Sequence, residues 1–525
     1  MKKNFLITAA LTMAMSSLNA QDIQLSSDKA DVEKYMNTIT QEDLKSHLSI
    51  LASDEYEGRE TGERGQKMAA DYIAKYFMQQ GLVGPVKDVP NPYFQQFDLY
   101  QQKYSHFYLK TNGYTLNLFE DIFPYGKFSI EENAEVVFVG YGEITDEVND
   151  YKGLDVKDKG VIFFEKTPEE YGASNKMNGL RRKAKLAAEQ GAAFAIILPN
   201  SDEDFNTQIQ RYGSYIKKGS LSFKKPTETD NAKSFGLMLG KPSSFYEAFE
   251  IDTKKLNKTI AKALKSAKSA ATGRVFNVSI DAKYQSRVMP TENVLGFMEG
   301  TDLKEEILVV TSHYDHVGII DGKIHNGADD DGSGTTGLIE IVDAFVQAKK
   351  DGKGPRRSIL FMTVTGEEKG LLGSEYYSEN PVFPLENTIT DLNIDMIGRG
   401  DDAHKEQENF VYVIGSDMLS SDLDKISKEV AKTYLPDFTL DYKYNAKDDP
   451  NRYYYRSDHY NFAKHGIPVI FYFNGTHEDY HQPTDTVDKI TFGPMAKRAQ
   501  LVFATAWELA NRDQRPVVDK KPNDQ

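Results

Sequence analysis

The sequence predicts an α/β fold with a mixed, largely parallel sheet, into which a separate β-rich unit is inserted. Three observations predict it. From Ser286 onward, apolar runs alternate with helical segments, the pattern of strands joined by crossover helices. Three of those runs, "EILVVTS", "RSILFMTVTG" and "NTITDLNI", lead directly into His, Asp or Glu, and a fourth, "GIPVIFYFN", leads into the loop that carries His481. Upstream lies a long stretch of different texture, built of short β-like runs and lysine-rich connections. The 525 residues are too many for one ordinary domain and ample for a buried core.

Residues 1–20, "MKKNFLITAALTMAMSSLNA", place Lys2 and Lys3 before an apolar stretch that ends in small residues, the layout of a cleavable signal peptide. Cleavage is expected near Ala20, giving an exported protein, periplasmic or secreted. No later stretch reaches the about 18 uninterrupted apolar residues of a membrane span. The chain has no cysteine, which excludes disulfides and a lipid-modified Cys at the cleavage site. Any metal site must then be made of His, Asp and Glu. The formal charge of −16, more negative still without Lys2 and Lys3, argues against nucleic acid or an anionic membrane as partner, since both require a basic footprint.

Residues 21–104 form the N-terminal helical part. Within it, "QEDLKSHLSILASDEYEGRETGERGQKMAADYIAKYFMQQGL" reads as two helices around a charged, glycine-punctuated loop. Met68, Ala69, Tyr72, Ile73, Tyr76 and Phe77 recur at helical spacing, and Gly81 supplies a stop. Glu57, Gly58 and Arg59 in the loop stand out as more than solvated polar residues. Residues 105–285 make the inserted unit: "AEVVFVGYG" and "KGVIFFEK" read as strands and "LRRKAKLAAEQGAAFAIILPN" as its one helix followed by a strand, with no cluster suited to catalysis or metal binding. Residues 286–512 form the α/β domain, and 513–525 a polar tail.

In an open α/β sheet, ligands bind beyond the carboxyl ends of the strands. His313, Glu367, Glu368, Asp395 and His481 all fall at such ends. Two His and several carboxylates without Cys suit a hydrolytic zinc site. A pair of ions about 3.5–4 Å apart needs a carboxylate to bridge them, and an aspartate of "GADDDGSG" is well placed for that. An EF-hand reading of this run fails, because Gly327 and Leu338 stand where the first Asp and last Glu ligands belong. "RSDH", residues 456–459, contains Ser, Asp and His, but a triad needs them to converge from separate positions.

"SHYDHVG", "GADDDGSG", "TGEEKGLLGS", "NIDMIGR" and "YHQPTDT", in that order, resemble the co-catalytic dizinc aminopeptidase family, which includes the aminopeptidase Y and secreted bacterial leucyl aminopeptidase types. The resemblance spans residues 286 to about 512, and "LASDEYEGRETGERGQKMAADYI" resembles the family's N-terminal helical portion. It implies a zinc-exopeptidase-like αβα sandwich, with the inserted unit as a protease-associated (PA) domain. It also implies two Zn2+ ions: Asp330 as the bridge, His313 and Asp395 completing one site, Glu368 and His481 the other. Glu367 matches the general base, and Asp315 the acid that orients the His313 imidazole. Tyr480 is a candidate for stabilising the oxyanion.

The activity so implied is removal of N-terminal residues from peptides with a free N-terminus. Three alternatives stand beside it. Glutaminyl cyclisation occurs on the same fold with one zinc, against which five ligand matches argue. Carboxypeptidase action fits the same metal motif, and a receptor-like binding protein would be expected to lack ligands. His316 and His325 flank the metal motifs and are read as surface-loop histidines, with a role as alternative ligands beside that, and Ser457 and Asp458 as walls of the site. Asp485 is read as a support for His481 or a helix cap, and Gly332, where relatives carry larger residues, as a loosening of the loop.

Overall fold

A computed structural model describes residues 23–169, 179–226, 235–265 and 268–521. The expected signal segment, 1–20, lies outside the described residues, as does the end of the polar tail. The chain divides into two compact units, one formed by Met1–Gln96 with Glu292–Gln525 and the other by Phe97–Thr291.

The first unit is built on a sheet whose strands run, in spatial order, Thr439–Asp441, Phe410–Ile414, Val469–Phe473, Thr388–Ile394, Leu303–His313, Arg357–Val364 and the 294–298 end of the long strand Val275–Met298. The four central strands are parallel, and both flanks carry an antiparallel pairing, so the sheet is mixed but mainly parallel. Every residue of Arg357–Val364 and Thr388–Ile394 is buried, as expected when both faces of a parallel sheet are covered. The strand period of two divides these runs between two cores. Leu308, Val310, Ile359 and Phe361 face one core with helices Lys29–Met36, Gln41–Leu51, Arg64–Gln79, Gly334–Lys350 and Phe492–Asn511; Ile307, Val309, Leu360 and Met362 face another with Tyr377 and Phe462. Each such buried Leu, Ile, Val or Phe stabilises the fold by roughly 1.5–3 kcal/mol.

The helix Gly334–Lys350 buries 13 of its residues, nearly all of its first three turns, so it is apolar around most of its circumference. It starts directly from the aspartate run. The helices Gln41–Leu51 and Arg64–Gln79 take the positions expected of the N-terminal part. Thr40 caps the first of them through the N–H of Asp43.

The second unit has a sheet in the order 275–282, Ile130–Phe138, Gly160–Phe164, Phe194–Leu198, Gly236–Gly240 and Ile122–Pro124, with parallel pairing through its centre. A hairpin turns at Asn112-Gly113, both with positive φ (47° and 83°), the signature of a tight two-residue turn. Four helices, Gly179–Glu189, Asp202–Lys218, Pro242–Ala248 and Thr253–Lys265, occur among the described residues, where the sequence suggested one. The miss has a physical reason: Asp202–Lys218 buries only Phe205 and Gly213, and Thr253–Lys265 only Leu256 and Ala263, so neither carries a full apolar stripe.

Candidate metal centre

The two groups of side chains able to hold a metal, among the described residues, both lie in the first unit at the carboxyl ends of its central strands. His313 is the last residue of its strand, Asp395 follows Thr388–Ile394, Glu367 and Glu368 follow Arg357–Val364, and His481 lies in the loop after Val469–Phe473. One group is His313, Asp330 and Asp395; the other is His316, Asp330 and Glu368.

Asp330 belongs to both, and its two oxygens face different ways. Oδ1 lies 3.3 Å from His313 Nε2, while Oδ2 lies 3.0 Å from His481 Nε2 and 3.7 Å from His316 Nδ1. Asp395 Oδ1 is 3.5 Å from His313 Nε2, and Glu368 Oε2 is 3.1 Å from His481 Nε2. Glu367 Oε2 stands slightly farther off, 3.9 Å from His313 Nε2.

These residues fit the zinc ions that the motif order implies. His313 Nε2, Asp330 Oδ2 and His316 Nε2 are buried without a hydrogen-bond partner. Such atoms cost free energy unless a cation or water satisfies them. Electrostatics agree: burial disfavours the charged form of His481, yet Glu368 and Asp330 raise it to about 12, so the pocket demands positive charge. Burial and the neighbouring carboxylates Glu368 and Asp395 push Glu367 well above the usual range, His313 opposing them.

The three consecutive aspartates have three different partners. Asp331 Oδ1 accepts the N–H groups of Gly334 and Met396 (2.8 and 3.0 Å) and Oδ2 that of His313 (3.2 Å). Asp329 accepts from Gly398 N, Ser333 Oγ and Asn474 Nδ2, and its Oδ2 lies 3.1 Å from His477 Nε2. Asp330 alone faces the histidines of the site.

Glycines make the turn possible. Gly327 has φ +58°, and a Cβ there would fall 2.2 Å from Asp330 O and 2.5 Å from the His316 ring. A Cβ at Gly332 would fall 2.8 Å from both Gly327 O and Leu48 Cδ1. Gly332 therefore tightens the packing of this loop rather than loosening it.

Several sequence expectations need correction. Asp315 does not orient His313 through its carboxylate, which is 3.8 Å from Nδ1; the Nδ1–H donates to the Asp315 main-chain carbonyl at 3.0 Å, leaving Nε2 free for a metal. The Asp315 carboxylate instead accepts from Thr61 Oγ1 (2.7 Å) and from Glu367 N (3.2 Å). The Asp485 carboxylate accepts the main-chain N–H groups of Asp329 and Asp330, in the first turn of the helical segment Ala328–Ser333, so it caps that segment from a distant loop. His316 and His325 are not surface residues but 0% and 6% exposed. The ring of His325 reaches the carbonyl of His481 at 3.0 Å, bracing a residue held at φ +57°.

Ser457 was read as a wall, yet its hydroxyl donates to Asp395 Oδ2 at 2.6 Å. Asp458 accepts from Ser374 Oγ at 2.5 Å. Tyr480 stacks on His481, ring centroids 3.9 Å apart, and lines a small pocket with Asp330, Glu367, Asp395, Met396, Tyr453, Arg456, Phe471, Phe473 and Thr476.

Arg59, singled out in the sequence without an assigned role, is buried. Its guanidinium donates to the carbonyls of Tyr314, Leu51, Asn326 and Gly327, at 2.7–2.8 Å. It thus ties the N-terminal helices to the segments that carry His313 and Asp330. The sequence signal was the loop "YEGRETG"; its partners, some 250 residues away, were not readable.

Comparison with known proteins places this geometry. Residues 293–506 match the model of peptidase family M28. A probable leucine aminopeptidase of Trichophyton verrucosum is 31% identical over 216 residues, covering 39% of this chain and 55% of that protein. Aminopeptidase YwaD of Bacillus subtilis is 26% identical over 239 residues, 44% of this chain and 47% of that protein. The chain thus spans about half the length of the curated relatives it matches. Among solved structures, an aminopeptidase from Aneurinibacillus sp. strain AM-1 superposes with TM-score 0.57 at 20% identity over 94% of this chain and 98% of its own, and the zinc aminopeptidase BSAP from Bacillus subtilis with TM-score 0.52 at 19% identity over 91% and 96%. These likenesses establish the fold.

Proposed function

We propose that the chain, whose residues 293–506 match the model of peptidase family M28, is an exported dizinc aminopeptidase that hydrolyses the N-terminal residue from peptides. The observation that carries the reading is Asp330, whose two oxygens face two separate groups of His and carboxylate donors. His313 and Asp395 would hold one zinc together with Asp330, and Glu368 and His481 the other. When bound, such ions would supply water activation near neutral pH and Lewis-acid polarisation of the peptide carbonyl.

The chain's own residues do the rest. Glu367 takes the proton from the attacking water and returns it to the leaving amine. Asp315 fixes the Glu367 main chain, and Ser457 fixes the outer oxygen of Asp395. Tyr480, on the wall of the same pocket, donates its hydroxyl to the developing oxyanion. The inserted unit is read as a PA-like domain, supported by its position between residues 96 and 292. No helix among the described residues is long and apolar enough to cross a membrane.

A site so rich in carboxylates suits the ammonium of a free N-terminus. Arg456 on the pocket wall is the observation that favours the second reading, in which a C-terminal carboxylate enters. A peptide series blocked at the amino end, the carboxyl end or neither separates the two. Loss of cleavage on amino blocking alone supports the aminopeptidase; loss on carboxyl blocking alone overturns it in favour of a carboxypeptidase.

A further inference from the structure

We propose that His316 is an additional protein ligand of the metal centre, binding through Nδ1 the ion held by Glu368, His481 and Asp330. The inference rests on the metal reading of the site and goes beyond its five-residue ligand set. Its basis is geometric. The imidazole has no exposed surface, and its Nε2 has no hydrogen-bond partner. Nδ1 lies 2.8 Å from Glu368 Oε1 and 3.7 Å from Asp330 Oδ2. Two ligand atoms on one tetrahedral zinc, at the usual bond lengths, lie about 3.4 Å apart, so these spacings bracket that value. The rings of His316 and His481 are 5.6 Å apart and steeply inclined at 72°, converging on the same carboxylates.

The ring is also held there. The His316 main-chain N–H donates to Arg59 O at 3.1 Å, and Glu60 forms a β-bridge with His316. Gly327 packs against the ring so closely that a Cβ would meet it at 2.5 Å. The imidazole therefore cannot swing out to solvent without moving the aspartate loop. A neutral imidazole is a standard zinc ligand that adds no charge. With it, the ion on the Glu368 side gains a second nitrogen donor, whereas the ion on the His313 side has one. The two ions then differ in affinity and load in sequence, the Glu368 side first.

The competing explanation is that His316 only donates a hydrogen bond to Glu368. His316→Gln separates the two, because an amide can donate to Glu368 but is a poor zinc ligand. The test loads the full chain with cobalt(II) and counts the paramagnetically shifted exchangeable imidazole resonances by proton NMR, with thermal unfolding recorded to confirm that the variant folds. Three shifted resonances in the parent and two in His316→Gln support the proposal. The variant should also lose affinity for one ion by more than the ~10–100-fold typical of a lost outer support. Two resonances in both proteins, or parental affinity in the variant, overturn it while leaving the metal centre standing. Absence of any shifted resonance overturns it together with the metal reading itself.

Discussion

Asp331 is bound to His313 through the main chain, its Oδ2 accepting the His313 N–H at 3.2 Å while its Oδ1 accepts those of Gly334 and Met396. One side chain thereby joins the strand end carrying His313, the start of the helix after the aspartate run, and the residue after Asp395. Asp331→Ala leaves three buried N–H groups unpaired, each costing about 1–3 kcal/mol. The variant is expected to unfold at a clearly lower temperature and to retain less zinc after dialysis, read by calorimetry and metal analysis. A parental midpoint with full zinc would contradict the bracing role.

Glu367 lies beside the metal groups without joining them, 3.9 Å from His313 Nε2. Glu367→Gln is expected to keep its zinc while kcat falls by ~10²–10⁴-fold, the range for loss of a general base. Zinc content and turnover measured on one preparation decide it; near-parental turnover removes Glu367 from the mechanism.

Ser457 receives the amide of Asn393 at 2.9 Å, so its one hydroxyl proton is committed to Asp395 Oδ2. Ser457→Ala frees that carboxylate to rotate, and zinc affinity is expected to fall ~10–100-fold. Competition against a chromophoric chelator measures this, and Ser457→Thr should restore much of the loss. Unchanged affinity in Ser457→Ala would show that Asp395 is held by other means.

Far from the strand ends, Glu340 is buried, with its Oε1 3.6 Å from His47 Nε2. Burial, reinforced by Asp343 and Asp43, raises Glu340 to about 8. Burial also lowers His47, so the pair is neutral at pH 7. A carboxyl with a raised pKa in the folded state carries no penalty below its unfolded value of 4.5, and destabilises progressively as pH climbs from there towards 8. Glu340→Gln removes that penalty, with a gain that grows by up to ~1.4 kcal/mol per pH unit across this window. Thermal midpoints at pH 4 and pH 8 test it: equal at pH 4 and higher in the variant at pH 8 is the expected result. Destabilisation at pH 8 would mean that Glu340 and His47 form a charged pair.

Much of the first unit was legible in the sequence because its strands are buried on both faces and therefore appear as continuous apolar runs. His313, Glu368 and Asp395 stand at the ends of those runs, where a linear reading can find them. His316 stood out as an alternative ligand beside the metal motif, but its burial was not legible, since it depends on Arg59, Glu60 and Gly327, which arrive from distant segments. The Asp485 contact was not legible for the same reason, its partners lying some 155 residues upstream. In the second unit the helices Asp202–Lys218 and Thr253–Lys265 escaped because each buries only two residues.

The central claim is that hydrolysis depends on metal held around Asp330. The most direct measurement follows cleavage of an aminoacyl chromogenic substrate while zinc is removed with a chelator and then returned in counted equivalents. Activity should vanish on removal and return with zinc, and should fail to return in Asp330→Asn. Full activity in the zinc-free protein, or complete recovery in Asp330→Asn, would contradict the account.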